Sequence, residues 1–197
     1  MPDFEVVTLE PAEHVEPGEE APTFTRPLVT DEFWEDRSLS ALVGRDESEG
    51  ERESEGESQN RTILVFTPMT GSFLATYLWD ELAERGWDEA DATVVGITTG
   101  NPYSVKRFID DNGYPFALFA DPATDVAEAY GFVHDLDGMA GVTEPRPAFV
   151  AIDADRTVEA VWVAQEWPEF PDYDDLEVTL GIDLDPDPDP DPDPDLE

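Results

Sequence analysis

The segment Thr62–Thr67 reads Thr-Ile-Leu-Val-Phe-Thr, six residues with neither a charge nor a turn former. A strand with one solvated face alternates apolar and polar residues. A continuous apolar run of this length therefore predicts a strand buried on both faces. Such a strand needs helices above and below its sheet, and the next residues supply them. Residues 72–85 repeat at the helical period, with Leu74, Leu78, Leu82 and Ala83 on one side and Gly86 as the stop. A second buried run follows at 93–98. Asn101-Pro102, a capping side chain ahead of a first-turn proline, opens a helix whose inner face is Val105, Phe108 and Ile109. Residues 116–119 predict a short strand, and 122–130 a short helix ended by Gly131. Residues 148–152 and 157–163 predict two strands joined by the tight turn Asp153-Ala154-Asp155-Arg156, and 173–180 a last helix. This order specifies an α/β fold with a central mixed β-sheet and flanking helices. The alternation in residues 4–9 suits one extra strand.

The flanks read differently. Residues 45–60, RDESEGERESEGESQN, hold no apolar residue and predict an acidic, solvated loop insertion. Between 185 and 194 the chain repeats Asp-Pro five times. Each proline removes an amide donor and holds its predecessor extended, so residues 183–197 predict a disordered tail. A mobile acidic run lacks the preorganised oxygen cage of a calcium site. The folded domain is expected over residues 15–182, after an N-terminal extension of residues 1–14.

Charge narrows the partners. Against 49 Asp and Glu stand 10 Lys and Arg, a formal net charge of -39. So few cations cannot build a phosphate-tracking stripe, which argues against nucleic acid, and the same field disfavours an anionic membrane surface. At molar salt the Debye length shrinks to about 3 Å, so neighbouring carboxylates barely interact. The composition, with Lys106 the one lysine, is that expected of a halophilic cytoplasmic protein. No basic-then-apolar leader opens the chain, and no apolar stretch suits a membrane helix.

The chain contains no cysteine. Disulfides, thiolate nucleophiles and cysteine metal ligands are therefore excluded. Its two histidines, His14 and His134, lack metal-ligand spacing, and neither a metal nor a cofactor is expected. Acid pairs around Asp121 and Asp135 are the coincidences such a composition produces. Ser72 and His134 with a nearby acid form a nominal hydrolase set, but without a nucleophile-elbow glycine pattern.

Four local patterns then converge. They are Val15-Glu16-Pro17-Gly18 through Ala21-Pro22-Thr23-Phe24, the short segment Ser38-Leu39-Ser40-Ala41-Leu42, the run TILVFTPMTGSFLA, and Arg146-Pro147-Ala148-Phe149-Val150-Ala151-Ile152-Asp153. Together they resemble the peroxiredoxins, the alkyl hydroperoxide reductase and thiol-specific antioxidant family. The resemblance implies a thioredoxin-like three-layer sandwich. It places Pro68, Ser72 and Arg146 at the family's active-site proline, threonine or serine, and arginine. Ala75 falls where the peroxidatic cysteine belongs. In working members a thiolate there becomes a sulfenic acid, and alanine has no such chemistry. The resemblance thus implies an oxidoreductase scaffold whose thiol peroxidase activity is excluded by composition.

What it leaves is a degenerate pocket of Pro68, Ser72, Ala75 and Arg146 with no catalytic residue. A buried unpaired arginine is costly. The pocket is therefore expected to hold a small anion, unless Arg146 pairs with Glu144 or another acid. The leading expectation is a non-catalytic binding or regulatory module, paired with a redoxin, another protein or itself. An enzyme with thiol-independent chemistry in the same pocket is the alternative.

Overall fold

The computed structural model describes residues 6–43, 61–134 and 143–184. Along the chain lie β1 (Val7–Thr8), β2 (Thr25–Val29), β3 (Trp34–Ser38), α1 (Leu39–Val43), β4 (Thr62–Thr67) and α2 (Phe73–Glu84). Then come β5 (Thr93–Thr98), α3 (Pro102–Asn112), β6 (Ala117–Ala120), α4 (Asp125–Tyr130), β7 (Val133–His134) and β8 (Glu144–Pro145). The last elements are β9 (Ala148–Ile152), β10 (Val158–Val163), β11 (Glu166–Trp167) and α5 (Tyr173–Leu180). Seven strands form one sheet in the order β10-β9-β4-β5-β6-β2-β3. Its centre, β4 to β6, is parallel, and both flanks pair antiparallel. It is the mixed sheet of the thioredoxin-like α/β fold.

The pleat of β4 explains the two cores. Ile63 and Val65 point one way, into a cluster with Leu78 and Trp79 of α2, Ile109 of α3 and Leu176 of α5. Leu64 and Phe66 point the other way, into a cluster with Leu39 of α1, Val126 and Tyr130 of α4, and Phe132. All six residues of β4 are buried, as its unbroken apolar run requires. Strands β4, β5 and β9 and helix α5 keep their expected bounds, and α3 starts after its expected Asn101 cap. Strand β6 slips by one residue, α4 starts at Asp125 rather than 122, and the expected amino-terminal strand is reduced to β1, which pairs with β11. The acidic insertion and the Asp-Pro repeats lie outside the described residues.

Two strands of the seven-stranded sheet had no sequence expectation. Strand β3, Trp-Glu-Asp-Arg-Ser, is an edge with its side chains exposed, and charge on an edge is how sheets avoid pairing with strangers. Strand β2 carries Pro27, which cannot donate to a ladder, and reaches β6 only through Leu28 and Val29. Neither needs the apolar pattern that marks a buried strand.

Burial also shapes the alkaline response. It raises the hydroxyl pKa of Tyr114, where Asp80 adds to the effect, of Tyr130, and of Tyr173, where Glu81 adds to it, all from an ordinary 10.0. The unfolded chain loses these protons first, so it binds fewer protons than the native state above that pH. Stability is then expected to be intact below about pH 10 and to fall as pH rises further. Denaturant midpoints in molar salt, followed from neutral pH upward, check this. A flat profile through the tyrosine range would contradict it.

Candidate functional site

The loop after β4 leaves the sheet at the carboxyl ends of its parallel strands, where open α/β sheets place their sites. Thr98 Oγ1 donates to the Pro68 carbonyl at 2.7 Å, anchoring the loop to β5. The Met69 amide donates to Glu144 Oε1 at 3.3 Å. Gly71, at φ 87°, turns the chain toward α2. Ser72 is the helix N-cap, its Oγ accepting from the Ala75 amide at 3.2 Å. Ala75 stands one turn in and is 1% exposed, within the core cluster that also holds Val65, Leu78 and Trp79. A helix amino terminus therefore addresses position 75, but no ionisable atom stands there.

Arg146 enters β9 from the other side. Its amide donates to the Phe132 carbonyl at 2.7 Å. The residue is 4% exposed. Its Nη1 donates to the Glu10 and Ala164 carbonyls at 3.2 and 3.4 Å, and its buried Nε has no partner. Among the described residues no carboxylate lies within ion-pair distance of it. In particular, the expected alternative pairing with Glu144 does not form, and that carboxylate reaches the Met69 amide instead. Burial pulls the guanidinium pKa below its ordinary value.

Arg146 opens onto a cavity of about 530 Å³ whose walls include Leu9, Glu10, Pro11, Val133 and His134. Pro68, Ser72 and Ala75 do not line it. The structure thus brings Ser72 and Ala75 into one helical turn and gives Arg146 a separate cavity roofed by the amino-terminal segment. That segment runs past β11, with Val7 opposite Trp167 and the Leu9 amide donating to the Gln165 carbonyl at 2.8 Å. Its role as a wall had no sequence signal, because Glu10 acts through its main chain. Glu144 was also missed as an anchor for the loop. A second cleft, about 460 Å³, is lined by Met69, Thr99, Thr124, Glu128 and Thr143.

Among the described residues no group of three or more His, Asp or Glu side chains could hold a metal ion, and no helix is long and apolar enough to cross a membrane.

The model of the AhpC/TSA family matches residues 17–161. Among solved structures, the chain is similar to peroxidoxin BcpB from Mycobacterium tuberculosis, with TM-score 0.60 and 23% identity over 85% of this chain and 96% of that one. It is similar to the reduced 2-Cys peroxiredoxin of Plasmodium vivax, with TM-score 0.61 and 16% identity over 83% and 79% of the two chains. The AhpC of Enterococcus faecalis gives TM-score 0.61 and 14% identity over 84% and 90%. At these identities the likeness is one of fold. Comparison with curated proteins gives no match.

Proposed function

Because this chain belongs to the AhpC/TSA family and carries no cysteine, we propose that it is a non-catalytic binding or regulatory module. On this reading it keeps the peroxiredoxin scaffold and holds a small anion against Arg146. One observation carries the proposal. A guanidinium 4% exposed, with an unpartnered Nε and no carboxylate within ion-pair distance among the described residues, lines a cavity large enough for a small ligand. Burying a cation without a counter-charge costs several kcal/mol, and an anion entering the cavity offsets that cost. Leu9, Pro11 and Val133 make much of the wall apolar, which suits a short-chain carboxylate better than a strongly hydrated ion.

A second reading, an enzyme with thiol-independent chemistry, draws support from His134. It lines the same cavity and stands opposite Glu144 in the β7–β8 pairing. A histidine beside an anion-binding arginine suits proton transfer to a bound carboxylate.

The test is a titration with acetate, and separately with chloride, in molar salt of a poorly coordinating anion. The Arg146 Nε–H resonance is expected to shift, and affinity is expected to fall ten- to a hundredfold in Arg146→Ala, with partial retention in Arg146→Lys. That range corresponds to losing a charge-assisted hydrogen bond of about 1.5–3 kcal/mol. A resonance that no anion moves would remove the proposal. The same protein mixed with hydrogen peroxide and a thiol reductant is expected to show no turnover, and turnover would overturn the non-catalytic reading.

A further inference from the structure

The second cleft, beside Met69, shares no lining residue with the Arg146 cavity, so the anion-binding reading does not use it. Three neighbouring parallel strands, β4, β5 and β6, lead to it. Met69 follows β4 by two residues, Thr99 follows β5 directly, and Pro122 follows β6 by two. Open α/β sheets bind ligands in the crevice outside such strand ends. Thr124 and Glu128, one turn apart at the start of α4, form part of the wall of this space of about 460 Å³.

Two features of the cleft do nothing for the fold. Thr99 Oγ1 is buried and has no hydrogen-bond partner among the described residues, although buried hydroxyls are nearly always paired. Thr124, 5% exposed, holds φ 60°, a left-handed conformation that makes a β-branched residue a genuine outlier. At the N-cap of α4 a threonine would ordinarily offer its oxygen to the first free amides. Here Asp121 does so instead, its Oδ2 accepting from the Val126 and Ala127 amides at 2.9 and 3.4 Å. The Thr124 hydroxyl donates to the Ala123 carbonyl at 2.6 Å, which leaves its oxygen free only to accept. Backbone strain of this kind concentrates where ligands are clamped.

The atoms left over define the occupant. The Glu128 carboxylate is exposed and makes no ion pair or hydrogen bond among the described residues. Arg26, which reaches the same helix, is held by Asp121 and Asp125 at 2.9 and 3.1 Å. A carboxylate and a hydroxyl whose proton is spent both accept, so the ligand must donate, and the carboxylate favours a positive donor. One carboxylate is too few for the oxygen cage of a divalent metal. Met69 and Pro122 give the cleft an apolar side. We propose that it binds a primary ammonium group on a short apolar stem, with its three N–H bonds directed to Glu128, Thr124 Oγ1 and Thr99 Oγ1.

Titration of the full chain with n-butylammonium chloride in molar sodium chloride tests this, read at the amide resonances of Thr99, Thr124 and Glu128. Saturable shifts in the millimolar range are expected. Tetramethylammonium carries the same charge without an N–H, so it separates the cleft from the general attraction of an acidic surface for cations. It is expected to leave those resonances in place. Affinity for butylammonium is expected to fall at least tenfold in Glu128→Gln and about fivefold in Thr99→Val. Neither substitution removes a hydrogen bond among the described residues, so unchanged melting midpoints are expected and confirm that both variants fold. Shifts that do not saturate, an equal response to tetramethylammonium, or parental affinity in both variants would overturn the proposal.

Discussion

Gly131→Ala is expected to destabilise the protein by about 3 kcal/mol or more and to lift the amino-terminal segment from the Arg146 cavity. Two penalties combine at this residue. It ends α4 at φ 81°, in the left-handed region where a side chain costs about 1–2 kcal/mol. An added Cβ would also stand 2.1 Å from the Glu13 carbonyl oxygen and 2.7 Å from His14 Cα, both main-chain atoms that no rotamer change can move aside. Gly113 provides the control. It ends α3 at φ 69° with nothing within 4 Å of its Cβ position, so Gly113→Ala is expected to cost only the conformational penalty, about 1–2 kcal/mol. Denaturant unfolding of the two variants in molar salt measures the difference. Hydrogen exchange at the Leu9 amide, bonded to the Gln165 carbonyl, reports whether the segment has lifted. Equal losses at the two glycines would mean that the segment yields without cost, and the cavity would then lack a fixed roof.

The second large effect comes from salt. Two carboxylates about 6 Å apart repel by roughly 0.7 kcal/mol in water. At about 0.01 M salt the Debye length is about 30 Å and little of that is screened, whereas at molar salt it is about 3 Å and most of it disappears. A formal charge of -39 on 197 residues places many such pairs on the surface. Their sum is comparable with the roughly 5–15 kcal/mol that holds an ordinary domain together. Dilution from molar salt to about 0.01 M is therefore expected to unfold most of the protein. Tryptophan fluorescence is a suitable probe, because Trp79 and Trp87 are fully buried. The transition is expected to reverse when salt is restored. A melting midpoint that ignores salt would show that ion pairs of the described surface, such as Arg26 with Asp121 and Asp125, already offset the repulsion.

Much of the architecture was legible because burial leaves a pattern. Strand β4 announces itself through six buried residues in a row, and α3 through Asn101, Pro102 and three apolar residues at helical spacing. Strands β2 and β3 do not: β3 is an exposed edge, shaped by the ladder it joins rather than by its own side chains, and β2, between β3 and β6, fully buries only Val29. The site divides along the same line. Ser72 and Ala75 are three residues apart, so helical geometry alone brings them together once the cap is recognised. The Arg146 cavity depends on a main-chain carbonyl 136 residues earlier in the chain, and a carbonyl is identical in every residue type. No side-chain pattern encodes such a contact. Glu144 was visible as an acid near Arg146, but its bond to the Met69 amide depends on how the chain returns to the loop after β4.

The contacts that Arg146 makes with Glu10 and Ala164 carry a kinetic consequence. Both acceptors are neutral peptide oxygens, held at the long end of hydrogen-bond distance. A charged visitor competes there with dipoles and not with a resident counter-ion, so capture breaks no ion pair and release strands no carboxylate. Exchange on that guanidinium should accordingly be fast, which fits a sensor of ambient concentration better than a store.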